Sequence, residues 1–184
     1  ENPAFTGSPQ LEVQRVLEDG PIVVTTGEGR GATVEHGPFR FRAYRDRQTG
    51  ADHLAIISGN PTNGTLVRVH SECLTGEVFD SEKCECGPQL DAALELIQRD
   101  GGIVIYMRGH EGRGIGLINT LKAYRLQEDG LDTLDANLAL GFPADGRDYG
   151  AAVAILDDLG ISEGRVITNN PEKLRQLGDR GITI

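Results

Sequence analysis

All three cysteines of the chain fall in one stretch, RVHSECLTGEVFDSEKCECGPQL (68–90): Cys73, then Cys84 and Cys86 with one residue between them. Thiolates are soft ligands of the kind zinc prefers, and a C-x-C pair can place two sulfurs on one ion from a tight turn. Three thiols are one too few for a closed structural zinc site and one too many for a disulfide. Two completions are open. His70 can close a structural Cys3His set, or a water can take the fourth place, where zinc brings it to ionise near neutral pH. The plain alternative, free buried cysteines, is disfavoured by the C-x-C spacing. HSEC (70–73) also echoes the H-x-E of zinc nucleobase deaminases, but those need P-C-x-x-C next, and this chain has KCECGP.

A second concentration of chemistry is RGHEGRGIG (108–116), which sets four glycines, Arg108, Glu111 and Arg113 between an apolar run and a helical pattern. Bare backbone N–H groups at a helix start attract phosphate oxygens. The Lys-Ser/Thr ending of a Walker A loop is absent, and such a loop taken alone is more often a plain turn. GEGRGA, from Gly27, precedes strand patterns and reads as a hairpin turn. GFPADGRDYG (141–150) carries Asp145, Arg147 and Asp148, for which a helix cap and solvated charges are the default. TNNPEK (168–173) reads as strand end, cap and first turn, with Thr168 and Lys173 otherwise ordinary. Tyr124 reads as a core tyrosine whose hydroxyl finds a partner.

The elements that must position these residues divide by period. PIVVTT, GATVEH, FRFRAY, HLAIISG and TLVRVH are strand-like, with Phe39, Phe41 and Ala43 alternating with Arg40 and Arg42. They form a β-rich sheet or barrel. After the cysteines, Leu90, Ala93, Leu94 and Ile97 fall on one helical face, with Pro88 in the first turn and Gly101 at the end. GIVIYMR is a buried strand, and LINTLKAYRLQEDG a helix with Leu117, Leu121 and Tyr124 on one stripe. YGAAVAILDDLG is a helix, RVITN a strand, Pro171 opens a short helix after Asn170, and ITI closes as a strand. The fold class is α+β: a β-rich N-terminal half packed with an α/β C-terminal half. Residues 1–20 read as a leader with an amphipathic segment, LEVQRVLEDG, helical or partly disordered, and 21–184 as a single domain.

Composition narrows the classes. The chain has 184 residues, enough to bury a core without disulfides, and no apolar run near the ~20 residues of a membrane span. The N-terminal residues lack the basic start and apolar centre of a secretion signal, so the expected location is the cytoplasm. A net charge of −10 disfavours nucleic-acid backbone binding while leaving room for a local anion pocket.

Taken in order, RVHSECLTG, CECGPQL, RGHEGRGIGL, KAYRLQ, DTLDAN, GFPADGRDY and TNNPEK resemble GTP cyclohydrolase II, from about Gly37 to the end of the chain. The resemblance implies a GTP cyclohydrolase II-like fold and conversion of GTP to 2,5-diamino-6-ribosylamino-4(3H)-pyrimidinone 5′-phosphate with release of formate and pyrophosphate, the first step of riboflavin biosynthesis. It implies one zinc ion per subunit on Cys73, Cys84 and Cys86, with a water in the fourth place attacking the imidazole-ring carbon. His70 is then a neighbour of the site. It further implies phosphate contacts from Arg68 and Arg113 with Mg2+ shared among the oxygens. Val69, His70, Ser71, Glu72, Gln89, Glu111, Gly112, Thr133, Thr168 and Lys173 match substrate-binding positions. Tyr124 matches a residue that orients the ring-opening step, Asp145 the proton acceptor, and Arg147 a nucleophile on the α-phosphorus. A guanidinium is cationic at any accessible pH, so chemistry alone makes Arg147 a clamp on phosphate charge. A homodimer is also implied. Lys83 and Glu85 stand where relatives commonly have Arg and Asp. Some relatives hydrolyse only once and keep the formyl group; Tyr124 matches the fully hydrolysing members, so formate release is expected. The alternatives are a same-family variant that retains the formyl group or uses another purine nucleotide, or a non-catalytic zinc-containing nucleotide-binding module. Relatives continue with a polar tail beyond GITI.

Overall fold

The computed structural model describes residues 10–11, 15–16, 22–31, 37–46, 49–110, 116–142 and 147–184. Among them eight strands run in chain order: β1 (Gln10–Leu11), β2 (Arg15–Val16), β3 (Ile22–Gly31), β4 (Phe39–Asp46), β5 (Asp52–Ser58), β6 (Thr65–Ser71), β7 (Gly102–Met107) and β8 (Gly164–Val166). They form one sheet in the order β1-β3-β4-β5-β7-β6-β8, with β2 also paired to β3. The pairs β3–β4, β4–β5 and β5–β7 are antiparallel and β6–β8 is parallel. The helices are α1 (Leu74–Val78), α2 (Cys86–Asp100), α3 (Leu117–Glu128), α4 (Thr133–Ala139), α5 (Gly150–Asp158) and α6 (Pro171–Asp179). None is long and apolar enough to cross a membrane. The architecture is α+β, as the periods indicate, but β7 and β8 from the back half enter the same sheet as the front-half strands.

The chain divides into two compact units. One comprises the described residues of Glu1–His70, Asp91–Met107 and Tyr149–Ile184; the other comprises those of Ser71–Leu90 and Arg108–Asp148. In the first unit, alternate residues Ala55 and Ile57, Val67 and Val69, and Ile103, Ile105 and Met107 share a core with Tyr149, Ala151, Ala152, Ile155 and Leu156 of the α5 region and Leu177 of α6. Each fully buried aliphatic side chain there contributes about 1.5–3 kcal/mol. β7 is an almost continuous apolar run, as befits a strand covered on both faces, and Val104 between Ile103 and Ile105 is buried too. The first β7 residue must be glycine: Gly102 has φ 147, and a Cβ there would stand 2.6 Å from the Leu66 carbonyl oxygen.

α2 follows its sequence pattern. Ala93, Leu94 and Ile97 are buried, Leu90 is half-buried, and Gly101 with φ 77 ends the helix. α6 starts as expected, with the Asn170 side chain accepting from the Glu172 N–H and Pro171 in the first turn.

Several expectations fail. GEGRG is not a hairpin turn but the end of β3, where Gly27 to Gly31 pair with Ala43 to Phe39 after a register shift between Val23 and Gly27. Glycine permits a turn without requiring one, and a strand partner decides here. Residues 10–11 and 15–16 are strand, not helix; most of GATVEH lies outside the described residues. In β4 the burial phase changes: Phe39 is buried, but Phe41 and Ala43 are only half-covered and Tyr44 is 1% exposed. The segment ITI contributes a single bridge, Thr183 with Glu163.

In the second unit α3 turns a different face inward from the one its leucines mark. Leu117 and Leu121 are exposed, the latter 52%, while Thr120 and Ala123 are buried. Ala123 meets Ala136 of α4 in a small core edged by Leu126, Leu140 and Phe142. Small residues let two short helices approach closely, which decided the face. α4 is capped by Asp132, whose carboxylate accepts from the Asp135 N–H at 2.7 Å.

Candidate metal centre

The three cysteines, separated by up to thirteen positions in the chain, come together in the second unit. Cys73 is the residue before α1, and Cys86 is the first residue of α2. Their Sγ atoms and that of Cys84 lie within 4.8 Å of one another, and Cys73 and Cys84 are 3.5 Å apart. Three thiolates on a tetrahedral zinc at about 2.3 Å would stand roughly 3.8 Å apart, so the donor set fits such an ion in number, type and spacing. The cluster can hold a metal ion, and among the described residues it consists of sulfurs alone.

Local sequence explains the gathering. The Glu77 carboxylate, in the first turn of α1, reaches back to accept from the Cys73 N–H at 2.7 Å. That fixes Cys73 at the start of α1. Gly76, buried in α1, leaves the space the sulfurs occupy: a Cβ on it would lie 2.6 Å from Cys84 Sγ, 3.2 Å from Cys73 Sγ and 3.4 Å from Cys86 Cβ. Gly87 in turn passes so near Gly76 that its own Cβ would stand 2.8 Å from the Gly76 carbonyl oxygen. Two glycines thus bring the starts of α1 and α2 into backbone contact around the thiols.

The electrostatics are those of crowded donors. Cys73 is lowered to about 5, first by the Cys86 thiol donating to it, with the Gly76 N–H, Cys84 and Thr75 adding to the effect against burial. Cys86 is raised, first by that same bond to Cys73 and then by burial. Cys84 is raised, chiefly by burial. The crowding thus favours negative charge on Cys73 over Cys84 and Cys86. A bound dication reverses that balance, because a coordinating thiol is deprotonated outright.

Around the centre in this unit, the Tyr124 hydroxyl meets the Thr75 hydroxyl at 2.9 Å, and Thr75 Oγ1 lies 3.8 Å from Cys73 Sγ. Tyr124 is half-buried on α3, and the Lys83 ammonium stands 6.0 Å over its ring. The expected partner for the tyrosine hydroxyl is thus present, although the stripe that suggested it is not the buried face. Glu72 accepts from the Gly109 N–H at 3.1 Å and pairs with Arg108 at 3.5 Å. Ser71 Oγ bonds His110 Nδ1 at 3.0 Å, and His110 Nε2 lies 3.1 Å from the Asp148 carbonyl oxygen. Gln89 is half-buried on α2, Thr133 is exposed at the first residue of α4, and Arg147 is half-buried ahead of α5. Glu111, Gly112, Arg113 and Asp145 lie outside the described residues.

The remaining candidates belong to the first unit. Arg68 is buried, with Nη1 donating to the Ile167 carbonyl at 3.1 Å and Nη2 3.5 Å from His70 Nδ1. The His70 ring, 1% exposed, stacks on Tyr106 at 5.7 Å. Val69 is core; its carbonyl accepts from Lys173 Nζ at 2.7 Å, and that ammonium lies 5.6 Å over the Tyr149 ring. A lysine only 4% exposed is a costly residue to keep, and this one is satisfied by a carbonyl and a ring face. Thr168 Oγ1 accepts from the Asn170 N–H at 3.0 Å.

Sequence reading passed over Thr75, Gly76, Glu77 and His110. CLTGE carries a faint signal in its glycine between metal-type ligands, but none for Thr75 or His110, whose partners are distant in the chain.

A family model described as GTP cyclohydrolase II matches residues 26–184. The chain is 54% identical over 165 residues to the riboflavin biosynthesis protein RibBA of Nocardia farcinica (strain IFM 10152), covering 88% of this chain and 40% of that protein. It is 55% identical over 154 residues to the protein of the same description from Salinispora arenicola (strain CNS-205), covering 82% and 37% respectively. The chain spans about two fifths of the length of the curated relatives it matches.

Proposed function

The chain belongs to the GTP cyclohydrolase II family, and from that premise we propose that it hydrolyses GTP to 2,5-diamino-6-ribosylamino-4(3H)-pyrimidinone 5′-phosphate, releasing formate and pyrophosphate at the start of riboflavin biosynthesis. The observation that carries the reading is the gathering of Cys73, Cys84 and Cys86 with Sγ atoms within 4.8 Å.

Zinc is the metal the three thiols suit, and when bound it supplies a Lewis acid and a water acidic enough to ionise near neutral pH. Cys73, Cys84 and Cys86 hold it. Tyr124, beside this cluster through Thr75, orients the groups at the ring-opening step. Glu72 and Glu111 offer carboxylates to the guanine N–H edge, and Ser71, Gln89, Thr133 and Thr168 contribute neutral hydrogen bonds. Val69 and His70, whose side chains are buried, meet the substrate through the β6 backbone, and Gly112 through its own. Arg68 and Arg113 take up phosphate charge together with the Mg2+ that accompanies the triphosphate, and Lys173, a substrate-binding position whose own ammonium is held by the Val69 carbonyl, orders β6. Arg147 clamps the α-phosphate as its charge develops, and Asp145 accepts a proton. We read the protein as a cytoplasmic homodimer that binds neither nucleic acid nor membrane.

The test is product identification. Zinc-loaded protein incubated with GTP and Mg2+ yields formate and pyrophosphate together, and Cys84→Ser abolishes formate. Formate production at the wild-type rate by that variant overturns the catalytic zinc. GTP recovered unchanged from the metal-loaded wild type overturns the activity itself.

A further inference from the structure

The Thr75 hydroxyl touches both the thiol cluster and the Tyr124 phenol. Its Oγ1 lies 2.9 Å from Tyr124 Oη and 3.8 Å from Cys73 Sγ. It is the second residue of α1, two after Cys73 and next to Gly76, so the helix that positions the first cysteine also fixes this threonine. Each hydroxyl has one proton to give. A metal-bound cysteine is a thiolate and has none, so the Thr75 O–H donates to Cys73 Sγ. Thr75 can then only accept from Tyr124, and the phenol O–H donates to Thr75 Oγ1. The order of donors along the bridge is therefore fixed once the metal is in place: Tyr124 to Thr75 to Cys73.

We propose that Thr75 is a positioning residue of the metal centre: its hydroxyl bridges Cys73 and Tyr124 and commits the phenol proton, so that the Tyr124 oxygen meets the nucleotide as a hydrogen-bond acceptor. The proposal rests on the reading above for the role of Tyr124. Two further observations fit a tuned phenol. The Lys83 ammonium lies 6.0 Å over its ring, and Tyr124 is half-buried. The bridge also links the metal to Tyr124: a hydrogen bond donated to a metal-bound thiolate lowers that sulfur's electron donation, so the outer contact tunes the centre.

The experiment compares Thr75→Val, which keeps the side-chain shape, with Thr75→Ser, which keeps the hydroxyl, in the full chain. With zinc loaded, Thr75→Val lowers kcat for formate by about 10–100-fold, with KM for GTP and zinc content unchanged. Thr75→Ser restores most of the loss. If Thr75 acts through Tyr124, the Thr75→Val/Tyr124→Phe double variant is no slower than Tyr124→Phe alone. Cobalt(II) in place of zinc provides a readout without turnover: the thiolate-to-cobalt charge-transfer band shifts in Thr75→Val and not in Thr75→Ser. Wild-type kcat in Thr75→Val, additive losses in the double variant, or serine as poor as valine overturns the proposal. If the wild type forms no formate at all, the functional reading falls, and the cobalt spectrum still decides the bridge: an unshifted band in Thr75→Val sinks it.

Discussion

Replacing Gly76 with alanine tests how the metal centre is built. The added Cβ would stand 2.6 Å from Cys84 Sγ, well inside the 3.4 Å at which ordinary contact begins, and 3.2 Å from Cys73 Sγ. The helix backbone has little room on the side of Gly87, where even an added Cβ would stand 2.8 Å from the Gly76 carbonyl oxygen. Overpacking of this kind costs about 1–3 kcal/mol when the neighbours stay in place. The cheaper escape is rotation of the Cys84 thiol away from the methyl, which removes that sulfur from the cluster. The strain then appears as lost metal affinity rather than lost fold. Displacing an outer contact alone weakens metal binding about 10–100-fold, so Gly76→Ala weakens it by at least that much. Competition with a chromophoric zinc chelator measures the change, and the denaturant midpoint of the metal-free protein serves as control. Gly178→Ala in α6 is the companion variant: nothing lies within 4 Å of its Cβ, so zinc affinity stays at the wild-type value. Gly76→Ala protein that binds zinc as tightly as the wild type would refute the reasoning.

Two further outcomes are expected. In metal-free, reduced protein, the thiolate ultraviolet absorbance rises in separate steps: Cys73, lowered to about 5, ionises below the ordinary thiol range, while Cys84 and Cys86, both raised, ionise above it; a single step near the ordinary thiol pKa of about 8.5 contradicts this. Lys173→Met leaves the buried Val69 carbonyl without its 2.7 Å donor, so the urea midpoint falls by an amount equivalent to about 1–3 kcal/mol; an unchanged midpoint contradicts the role given to that bond.

What could be read from the sequence was local and periodic. α2 announces itself by Ala93, Leu94 and Ile97 at helical spacing and by Pro88 and Gly101 at its ends, and the buried run of β7 by five apolar positions after Gly102. The donor types of the metal centre were legible for the same reason, since cysteines are few and their spacing is short. The position of β7 between β5 and β6 was not, because strand order depends on pairing between distant segments. The inward face of α3 was misread because Leu117 and Leu121 are the obvious apolar residues, whereas the close approach to α4 needed Ala123. GEGRG was misread as a turn because glycine carries little information about which of its permitted conformations a partner strand will select. The support of the thiols was hidden most completely. Nothing in CLTGE states that Gly76 must lack a side chain beside Cys84, or that Thr75 faces a tyrosine forty-nine positions on.

The most direct measurement is X-ray absorption at the zinc edge of the zinc-loaded full chain, with and without Cys84→Ser. The account predicts one zinc bound by three sulfurs at about 2.3 Å and one lighter oxygen ligand at about 2.0–2.2 Å, with the sulfur number falling by one in the variant. Four sulfurs, an imidazole shell in the fourth place, or an unchanged spectrum in the variant would contradict it.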